Sequence, residues 1–311
     1  MKRPLVAVAA LVLLAATSCA EAGDSGSGEP EIIAAFYPLE FVALEVSGES
    51  AHVTNLSPPG VEPHDLELAP GQVRSLAQAD LVLYLGRGFQ PAVEDVVGEL
   101  SDTATIDGLE TQDGLIAGGD AHEDEEGHQD DDDEEGHEEE ASDPHFWLDP
   151  TRVASLGRSV AAELGRIDPD NAHRYEDNAS TLEDSLQKLD DEFSAALEDC
   201  ERNELVVSHE AFGYLAGRYG LEQVGISGID PESEPSPGRV AEVAEFARDH
   251  GVTTIFFEEQ VAPDIAQLIA DEIGAEVEVL DPLEFRPDGD SDYFDVMRSN
   301  LDSIAVALEC N

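Results

Sequence analysis

The sequence predicts an α/β protein of two lobes, each a mainly parallel sheet covered by helices, joined by one long rigid helix. Three observations lead to this prediction. Short apolar runs alternate with amphipathic stretches from about residue 31, the same alternation begins again near residue 204, and an unbroken helical pattern lies between the two series. Strands that alternate with helices are typical of parallel sheets with helices on their faces.

The first lobe is predicted over residues 31–168. Its strands are predicted from short apolar runs rich in β-branched residues, and its helices from amphipathic stretches, one of which has Pro91 near its first turn. The predicted strands are 31–36, 51–56, 79–86 and 103–107, and the predicted helices are 38–47, 70–78 and 90–99.

The joining helix is predicted over residues 169–199. From Pro169 to Glu198 the sequence contains no glycine and no internal proline, and apolar residues recur at spacings of three and four. At about 1.5 Å per residue such a helix is roughly 45 Å long, enough to lie along both lobes. A coiled-coil partner is the alternative, but one short stripe fits a backbone helix better. Because a rod cannot hinge as extended strands can, we expect a restricted opening motion.

The second lobe is predicted over residues 200–311. The predicted strands are 204–208, 224–227, 253–258 and 275–280, and the predicted helices are 211–219, 238–249, 262–273 and 292–308. This lobe also contains Cys200 and Cys310. In an oxidising compartment an even pair of cysteines favours a disulfide over two free thiols, and this one would hold the C-terminus in place.

Residues 1–18 have the pattern of a secretory signal peptide. Lys2 and Arg3 precede the apolar run 5–16, which is too short to span a membrane as a mature helix. The stretch "LLAATSC" also resembles a bacterial lipobox, which implies cleavage before Cys19 and diacylglycerol on its thiol. An ordinary cleaved signal with an incidental cysteine is the alternative. Residues 19–30 are then a lipid anchor and flexible tether.

The charge of the chain is extreme, with 71 acidic against 15 basic residues and a formal net charge of −56. Such a surface repels nucleic acid and anionic lipids, so a nucleic-acid partner is not expected. Adaptation to high salt explains most of the acidity, which is therefore poor evidence of metal binding. Residues 118–143 have no side chain able to form a core and are predicted to be disordered; they contain His122, His128 and His137 among carboxylates.

Four other residues are predicted to meet in one cleft between the lobes. Each follows a predicted strand or opens a helix, where ligands bind in open α/β sheets. They are His64 in "SPPGVEPHDLELAP", His145 in "SDPHFWLDP", His209 in "VVSHEAF" and Asp281 in "VEVLDPLE". Each residue alone has an ordinary explanation as a hydrogen-bonded loop residue. Together, three imidazoles and one carboxylate form a set that closes a tetrahedral Zn²⁺ site.

The chain resembles the metal-binding lipoproteins of ABC uptake transporters for zinc and manganese, and in particular their zinc branch. The resemblance runs from about residue 31 to the C-terminus. It depends on "EPHDLELAPGQVRSLAQADLVLYLG", "DPHFWLDP", "SHEAFGYLAGRYGL", "GIDPESEPSPGRV" and "VLDPLE", all in the family's order. It implies two α/β lobes bridged by a long helix, with the metal ligands at His64, His145, His209 and Asp281.

The resemblance also implies a function. A protein of this family is expected to be lipid-anchored to the outer face of the cell membrane, to act as a monomer without enzymatic activity, and to pass captured Zn²⁺ to a membrane permease. The acidic, histidine-rich loop before the second ligand matches the zinc branch, and it makes His122, His128 and His137 accessory low-affinity sites.

Alternatives remain open at this level. A manganese or iron protein of the same class would be favoured by a carboxylate at the third position, whereas His209 supplies nitrogen; Glu210 should face elsewhere. Some members of the zinc branch have an acidic residue directly before the first histidine ligand. This chain has Pro63 there, and Glu62 is a weak substitute as an extra carboxylate ligand. A zinc hydrolase with Glu210 or Glu258 as its general base is another alternative, but the sequence contains no HExxH motif to support it. Some members of the family are adhesins, and cell adhesion would survive loss of the ligands.

Deletion of residues 120–141 is predicted to remove several weak metal equivalents and to leave the tight site intact, because the deleted histidines are accessory. Calorimetric titration with Zn²⁺ measures both classes of site. If the deletion variant retains all weak binding of Zn²⁺, the weak sites lie on the acidic surface and not in the deleted segment.

Overall fold

The computed structural model describes residues 28–117, 142–258 and 263–311. The predictions for the signal peptide, for Cys19 and for His122, His128 and His137 lie outside the described residues and stay predictions. Within the described ranges, no helix combines the length and apolar character needed to cross a membrane.

The first sheet has four parallel strands in the order β2-β1-β3-β4. The strands are β1 (Glu31–Ala34), β2 (His52–Asn55), β3 (Leu81–Tyr84) and β4 (Ala104–Asp107), and the helices are α1 (Tyr37–Ser47), α2 (Pro70–Leu76), α3 (Pro91–Val97) and α4 (Pro150–Ile167). Proline occupies the first turn of each helix, where its missing N–H has no intrahelical partner. The Asp149 side chain caps α4 by accepting a hydrogen bond from the backbone N of Thr151.

The joining helix is α5 (Ala172–Ala196), which is shorter than predicted at both ends. Its 25 residues make a rod of about 37 Å. The predicted apolar stripe is buried along its whole length against α1 and α4, and at its far end against the last helix of the chain. The buried residues are Tyr175, Ala179, Leu182, Leu186, Leu189, Phe193 and Leu197.

The second sheet repeats the topology of the first, with parallel strands in the order β6-β5-β7-β8. Its strands are β5 (Glu204–Val207), β6 (Glu222–Gly225), β7 (Thr254–Phe257) and β8 (Glu276–Val279), and its helices are α6 (Gly213–Tyr219), α7 (Pro237–Asp249), α8 (Asp264–Ile273) and α9 (Tyr293–Ala307). The predicted fold of two parallel-sheet lobes joined by a long helix is confirmed. Of the second set of strands, β6 begins two residues earlier than predicted.

The hydrophobic cores do not divide where the lobes divide. The larger core includes the first lobe, the stripe of α5 and buried residues of α9, among them Met297 and Ile304. A smaller core fills the space between the second sheet and the outer helices α7 and α8, and includes Val243 and Ile269. Part of the second lobe is therefore packed as one body with the first.

A disulfide joins Cys200 and Cys310, the pair expected from the sequence. The bond ties the C-terminus to the chain just after α5, and the backbone N of Asn311 donates to the carbonyl of Asp199 beside it. The two cysteines are 110 residues apart. Closing a loop of that size stabilises the folded state by about 4–5 kcal/mol in the chain-entropy model.

The prediction of disorder was wrong for Ser142 and Asp143. Ser142 pairs with Ala117 in an isolated antiparallel bridge, and the backbone N of Asp143 donates to the carbonyl of Ile116 at 3.0 Å. Asp143 is buried. The two ends of the acidic segment are thus joined at its base.

An ion pair fastens α5 to the second lobe. Arg218 on α6 donates to both carboxylate oxygens of Asp190 on α5, at 2.5 and 2.7 Å, and the Tyr219 hydroxyl donates to the same carboxylate at 3.0 Å. Asp190 is buried. The Arg218 hydrogen bonds hold the pKa of Asp190 below its usual value, against the opposing effect of burial.

Replacing Asp190→Asn is expected to lower the free energy of unfolding by about 1–3 kcal/mol near pH 7, because charge-assisted hydrogen bonds are lost. The depressed pKa makes this contribution complete above the unfolded-state pKa of about 3.9 and lost as the pH falls through the folded-state value. Urea unfolding of wild type and variant between pH 7 and pH 3 measures the difference.

Asp184→Asn is the matched control, because Asp184 is exposed on the same helix. A wild-type advantage that stays constant from pH 7 to pH 3 would contradict the assignment of this stability to the Asp190 carboxylate.

Candidate metal centre

Four loops carry the side chains that meet between the lobes. His64 lies between β2 and α2, and His145 lies in the segment that leads into α4. From the second lobe, His209 lies two residues after the end of β5, and Glu284 lies between β8 and α9. Loops after parallel strands open at the same edge of a sheet, so these side chains converge where the two edges face each other.

One oxygen of Glu284 lies at the middle of the three histidines. Its Oε1 is 3.1 Å from Nε2 of His145 and 3.6 Å from Nε2 of both His64 and His209. The Nε2 atoms of His145 and His209 are 3.5 Å apart. The ligand atoms of His64, His145 and Glu284 all lie within 4.8 Å of one another, close enough to hold one metal ion.

The centre is buried and contains polar atoms that the protein does not satisfy. His145, His209 and Glu284 are at most 1% exposed. Among the residues that the structure describes, His64 Nε2 and Glu284 Oε2 are buried without a hydrogen-bond partner. Such orphaned atoms are costly in an apolar surrounding, and a cation between them removes the cost. The donor set therefore fits a bound metal ion.

Two further carboxylates orient the histidines from behind. Asp143 accepts from His145 Nδ1 at 2.8 Å and also from the His145 backbone N at 2.9 Å. Glu258 contacts His209 Nδ1 at 2.5 Å and accepts a second bond from the Ser208 hydroxyl. A carboxylate on Nδ1 places the proton there and leaves the Nε2 lone pair facing the centre.

These outer carboxylates were missed as orienting groups by the sequence analysis. Glu258 was considered only as the base of a hydrolase, and Asp143 was assigned to the disordered segment. The available signal was the spacing in "DPHF", where an aspartate two residues before His145 can cap the turn and reach its ring.

The charges of the centre balance one another. Burial favours neutral imidazole, but Glu258 and Glu284 outweigh it and raise the pKa of His209 to about 10. The pKa of His145 is raised in the same way against burial by Asp143 and Glu284. Burial would raise the pKa of Glu284, yet contacts with three histidines hold it well below its usual value. A metal cation competes with protons for this site.

Glu62 lies beside the centre with its proton retained. Burial, together with the negative charge of Glu284, raises the pKa of Glu62 to about 9. The backbone N of His64 donates to Glu62 Oε1 at 3.4 Å. In the metal-free protein at neutral pH, Glu62 therefore adds no second negative charge to the centre.

The structure brings Glu284, and not Asp281, to the histidines, which corrects the fourth predicted ligand. Asp281 Oδ1 accepts from the backbone N of Leu283 at 2.7 Å and so closes a tight turn. Leu283 has φ of +60°, a left-handed conformation that turns the chain sharply. The side chain three residues further on then points to the centre. Glu210 Oε1 lies 3.8 Å from Arg239 Nη2.

The loop that carries Glu284 is fastened to the opposite lobe. Trp147 Nε1 donates to the Pro282 carbonyl at 2.7 Å, and the Tyr293 hydroxyl donates to the Trp147 carbonyl at 2.7 Å. Arg286 pairs with the buried carboxylate of Glu40 on α1. A side chain of the centre that belongs to the second lobe is thus held in place largely by contacts with the first.

Comparison with known proteins places these features in a family. The family model of the zinc-uptake complex component A, periplasmic (ZnuA), matches residues 32–307. The chain is 34% identical over 316 residues to the high-affinity zinc uptake system protein ZnuA of Bacillus subtilis strain 168, covering 98% of this chain and 97% of that protein. It is 31% identical over 291 residues to the zinc-binding protein AdcA of Streptococcus pyogenes serotype M3, covering 91% of this chain. This match spans 56% of AdcA, so the chain accounts for about half the length of such relatives.

Solved structures give the same result. The laminin-binding protein Lmb of Streptococcus agalactiae, described as bifunctional with adhesin and metal transporting activity, superposes with a TM-score of 0.78 at 30% identity, covering 90% of this chain and 99% of that one. The Zn(II)-bound ZnuA-like domain of Streptococcus pneumoniae AdcA has a TM-score of 0.74 at 29% identity, covering 91% of this chain and 100% of that one.

Replacing Glu284→Gln is expected to weaken the binding of a divalent metal ion by about 100-fold or more, because the negative charge at the middle of the donor set is removed. Asp281→Asn keeps an oxygen that can accept from Leu283, so it is expected to change the affinity by less than about fivefold. Competition with a fluorescent chelator measures both. A greater loss in Asp281→Asn than in Glu284→Gln would restore Asp281 as the ligand.

Proposed function

This chain belongs to the family of the zinc-uptake complex component A, and we propose that it binds Zn²⁺ outside the cytoplasm with high affinity and delivers it to the permease of an ABC transporter. The observation that carries this proposal is the convergence of three imidazole nitrogens and one carboxylate from both lobes on one buried point. His64, His145, His209 and Glu284 are the proposed ligands. Binding between two lobes allows capture when they close and release when they separate.

The spacing of the donor atoms supports a tetrahedral ion. Zn–N and Zn–O bonds of about 2.0–2.1 Å at tetrahedral angles put neighbouring donors about 3.3–3.4 Å apart. Four of the six distances between the proposed donor atoms run from 3.1 to 3.6 Å: those from Glu284 Oε1 to the three imidazoles, and that between His145 and His209. The group of ligand atoms that all lie within 4.8 Å of one another consists of His64, His145 and Glu284, so His209 completes a tetrahedral set only after these side chains rearrange.

The donor types favour zinc over manganese or iron. Imidazole nitrogen at low coordination number suits Zn²⁺, whereas the harder Mn²⁺ prefers more oxygen donors. Here three of the four proposed donors are nitrogen. A manganese or iron protein of the same transporter class is the runner-up, and Glu62 is the extra oxygen such a site would recruit.

A binding role is favoured over catalysis. A catalytic zinc keeps an open position for water or substrate, while a closed site uses four protein ligands. His64, His145, His209 and Glu284 fill the tetrahedral set. The orienting role of Glu258, which contacts His209 Nδ1, also makes it a poor general base for a zinc hydrolase.

The sequence and the relatives support a proposed location and proposed partners. We propose that a signal peptide over residues 1–18, an anchor at Cys19 and a tether keep a monomeric protein at the outer face of the membrane, near its permease. A related AdcA of Streptococcus pneumoniae is named a zinc-binding lipoprotein. His122, His128 and His137 are proposed as accessory weak sites.

Cell adhesion is the second candidate function. The observation that favours it is the structural similarity to laminin-binding proteins of two streptococci. Binding of immobilised laminin by wild type and by a variant without the metal ligands distinguishes the roles, because adhesion through the outer surface would survive the loss of metal.

Wild-type protein is expected to bind one equivalent of Zn²⁺ with a Kd of about 1 nM or lower, and Mn²⁺ at least about 100-fold more weakly, because of its nitrogen donors. His145→Ala or His209→Ala is expected to weaken Zn²⁺ binding by about 100-fold or more. Chelator competition after metal stripping measures the affinities.

His173→Ala is the control, since the His173 side chain is 99% exposed on α5 and is not one of the proposed ligands. Unchanged Zn²⁺ affinity in both ligand variants would overturn the site. A preference for Mn²⁺ over Zn²⁺ would favour the runner-up, and failure of the gene to restore growth under zinc limitation would overturn the transport role.

A further inference from the structure

We propose that the hydroxyl of Tyr214 is a positioning group of the metal centre: it holds Asp143, which in turn holds His145, so that closure of the second lobe orients a ligand of the first. This inference rests on the proposed function and adds a coupling within the same site. Tyr214 lies on α6, and its hydroxyl bonds to the backbones of Asp143 and Ile116, neither of which is a proposed ligand.

Two sets of hydrogen bonds, joined through the residue Asp143, connect Tyr214 to the centre. Its hydroxyl donates to the Asp143 carbonyl at 2.9 Å and accepts from the backbone N of Ile116 at 3.2 Å. The Asp143 carboxylate accepts from His145 Nδ1 at 2.8 Å, and His145 Nε2 is 3.1 Å from Glu284. Every link is buried or partly buried, so water does not easily replace it.

Packing fixes the same contact from two sides. A Cβ added at Gly213 would lie 2.6 Å from Asp143 Oδ2, so the start of α6 presses directly on the Asp143 carboxylate. On the other side, the Arg152 guanidinium lies 4.5 Å above the Tyr214 ring. The hydroxyl therefore lies between Ile116 and Asp143, which flank the isolated bridge at the base of the acidic segment.

The orientation of His145 depends on this arrangement. A neutral imidazole carries its proton on one nitrogen only, and Asp143 keeps that proton on Nδ1 so that Nε2 offers its lone pair to the metal. Asp143 lies next to the end of a long acidic segment, and its own backbone is held by Ile116 and Tyr214. Without Tyr214, one of these two holds is lost.

The position of Tyr214 in the chain makes this a link between the lobes. His209 lies five residues before Tyr214 on the same stretch, between β5 and α6. When this stretch lies against the first lobe, it supplies one ligand directly and fixes a second through Asp143. When it moves away, both effects end together, so release of the metal becomes more cooperative than the loss of one ligand alone.

Tyr214→Phe tests the proposal because it removes only the hydroxyl. Tyr219→Phe is a matched control on the same helix: it also removes a hydroxyl that donates to an aspartate, in this case to the Asp190 carboxylate, but away from the centre. The measurements are the dissociation rate constant of Zn²⁺ by stopped-flow transfer to a chelator, the visible spectrum of the Co²⁺-loaded protein, and the urea midpoint of the metal-free protein.

Tyr214→Phe is expected to accelerate Zn²⁺ dissociation about tenfold relative to wild type, as typical outer-shell contacts do. Tyr219→Phe is expected to change it less than twofold, with a similar fall in the urea midpoint. In an Asp143→Ala background, Tyr214→Phe is expected to have no further effect on dissociation, because the tyrosine acts through Asp143.

Dissociation from Tyr214→Phe within twofold of wild type, or equal acceleration in Tyr219→Phe, would overturn the inference. Full additivity with Asp143→Ala would do the same. If wild-type protein itself fails to bind Zn²⁺ tightly, the proposed function fails, and this outcome is recognised before any variant is compared.

Discussion

The buried carboxylate of Glu284 is the constraint on which the rest of the structure depends. A carboxylate that is 1% exposed needs positive charge or strong donors around it, and three imidazoles supply them at 3.1 to 3.6 Å. Two of these come from the first lobe and one from the second. In the metal-free centre, protons on the histidines balance the negative charge of Glu284. The same negative charge attracts a divalent cation. Glu284 therefore contributes both to the stability of the fold and to the binding of metal.

The surrounding scaffold limits how far this centre can open. Glu284 belongs to the second lobe in sequence, but Trp147 and Glu40 of the first lobe hold its loop. The larger core also extends across both lobes through α9. The parts with a core of their own are the outer helices α7 and α8. This division, together with the rod α5, favours a small displacement of the part that contains α7 and α8 over a wide hinge motion between the lobes.

The acidity of the chain and the selectivity of its centre are separate properties. A net charge of −56 attracts cations everywhere on the surface, but exposed carboxylates are well solvated and hold metal ions weakly. The centre instead has mostly nitrogen donors in a buried site, and the carboxylates of Asp143 and Glu258 orient His145 and His209. Specific binding therefore comes from geometry, and the surface charge adds only local concentration.

The sequence by itself determined the elements of both sheets, the long helix and three of the four groups around the centre. Periodicity is local, and the strand-end rule places His64, His145 and His209 without any knowledge of packing. Only the tertiary structure decided between the two acids of "LDPLE": the left-handed turn at Leu283 and the distant Trp147 bond to Pro282 direct Glu284 inward. The tertiary structure also decided that Asp143 is ordered although it adjoins an acidic segment of low complexity, because the hydrogen bonds that hold it involve residues far away in the chain.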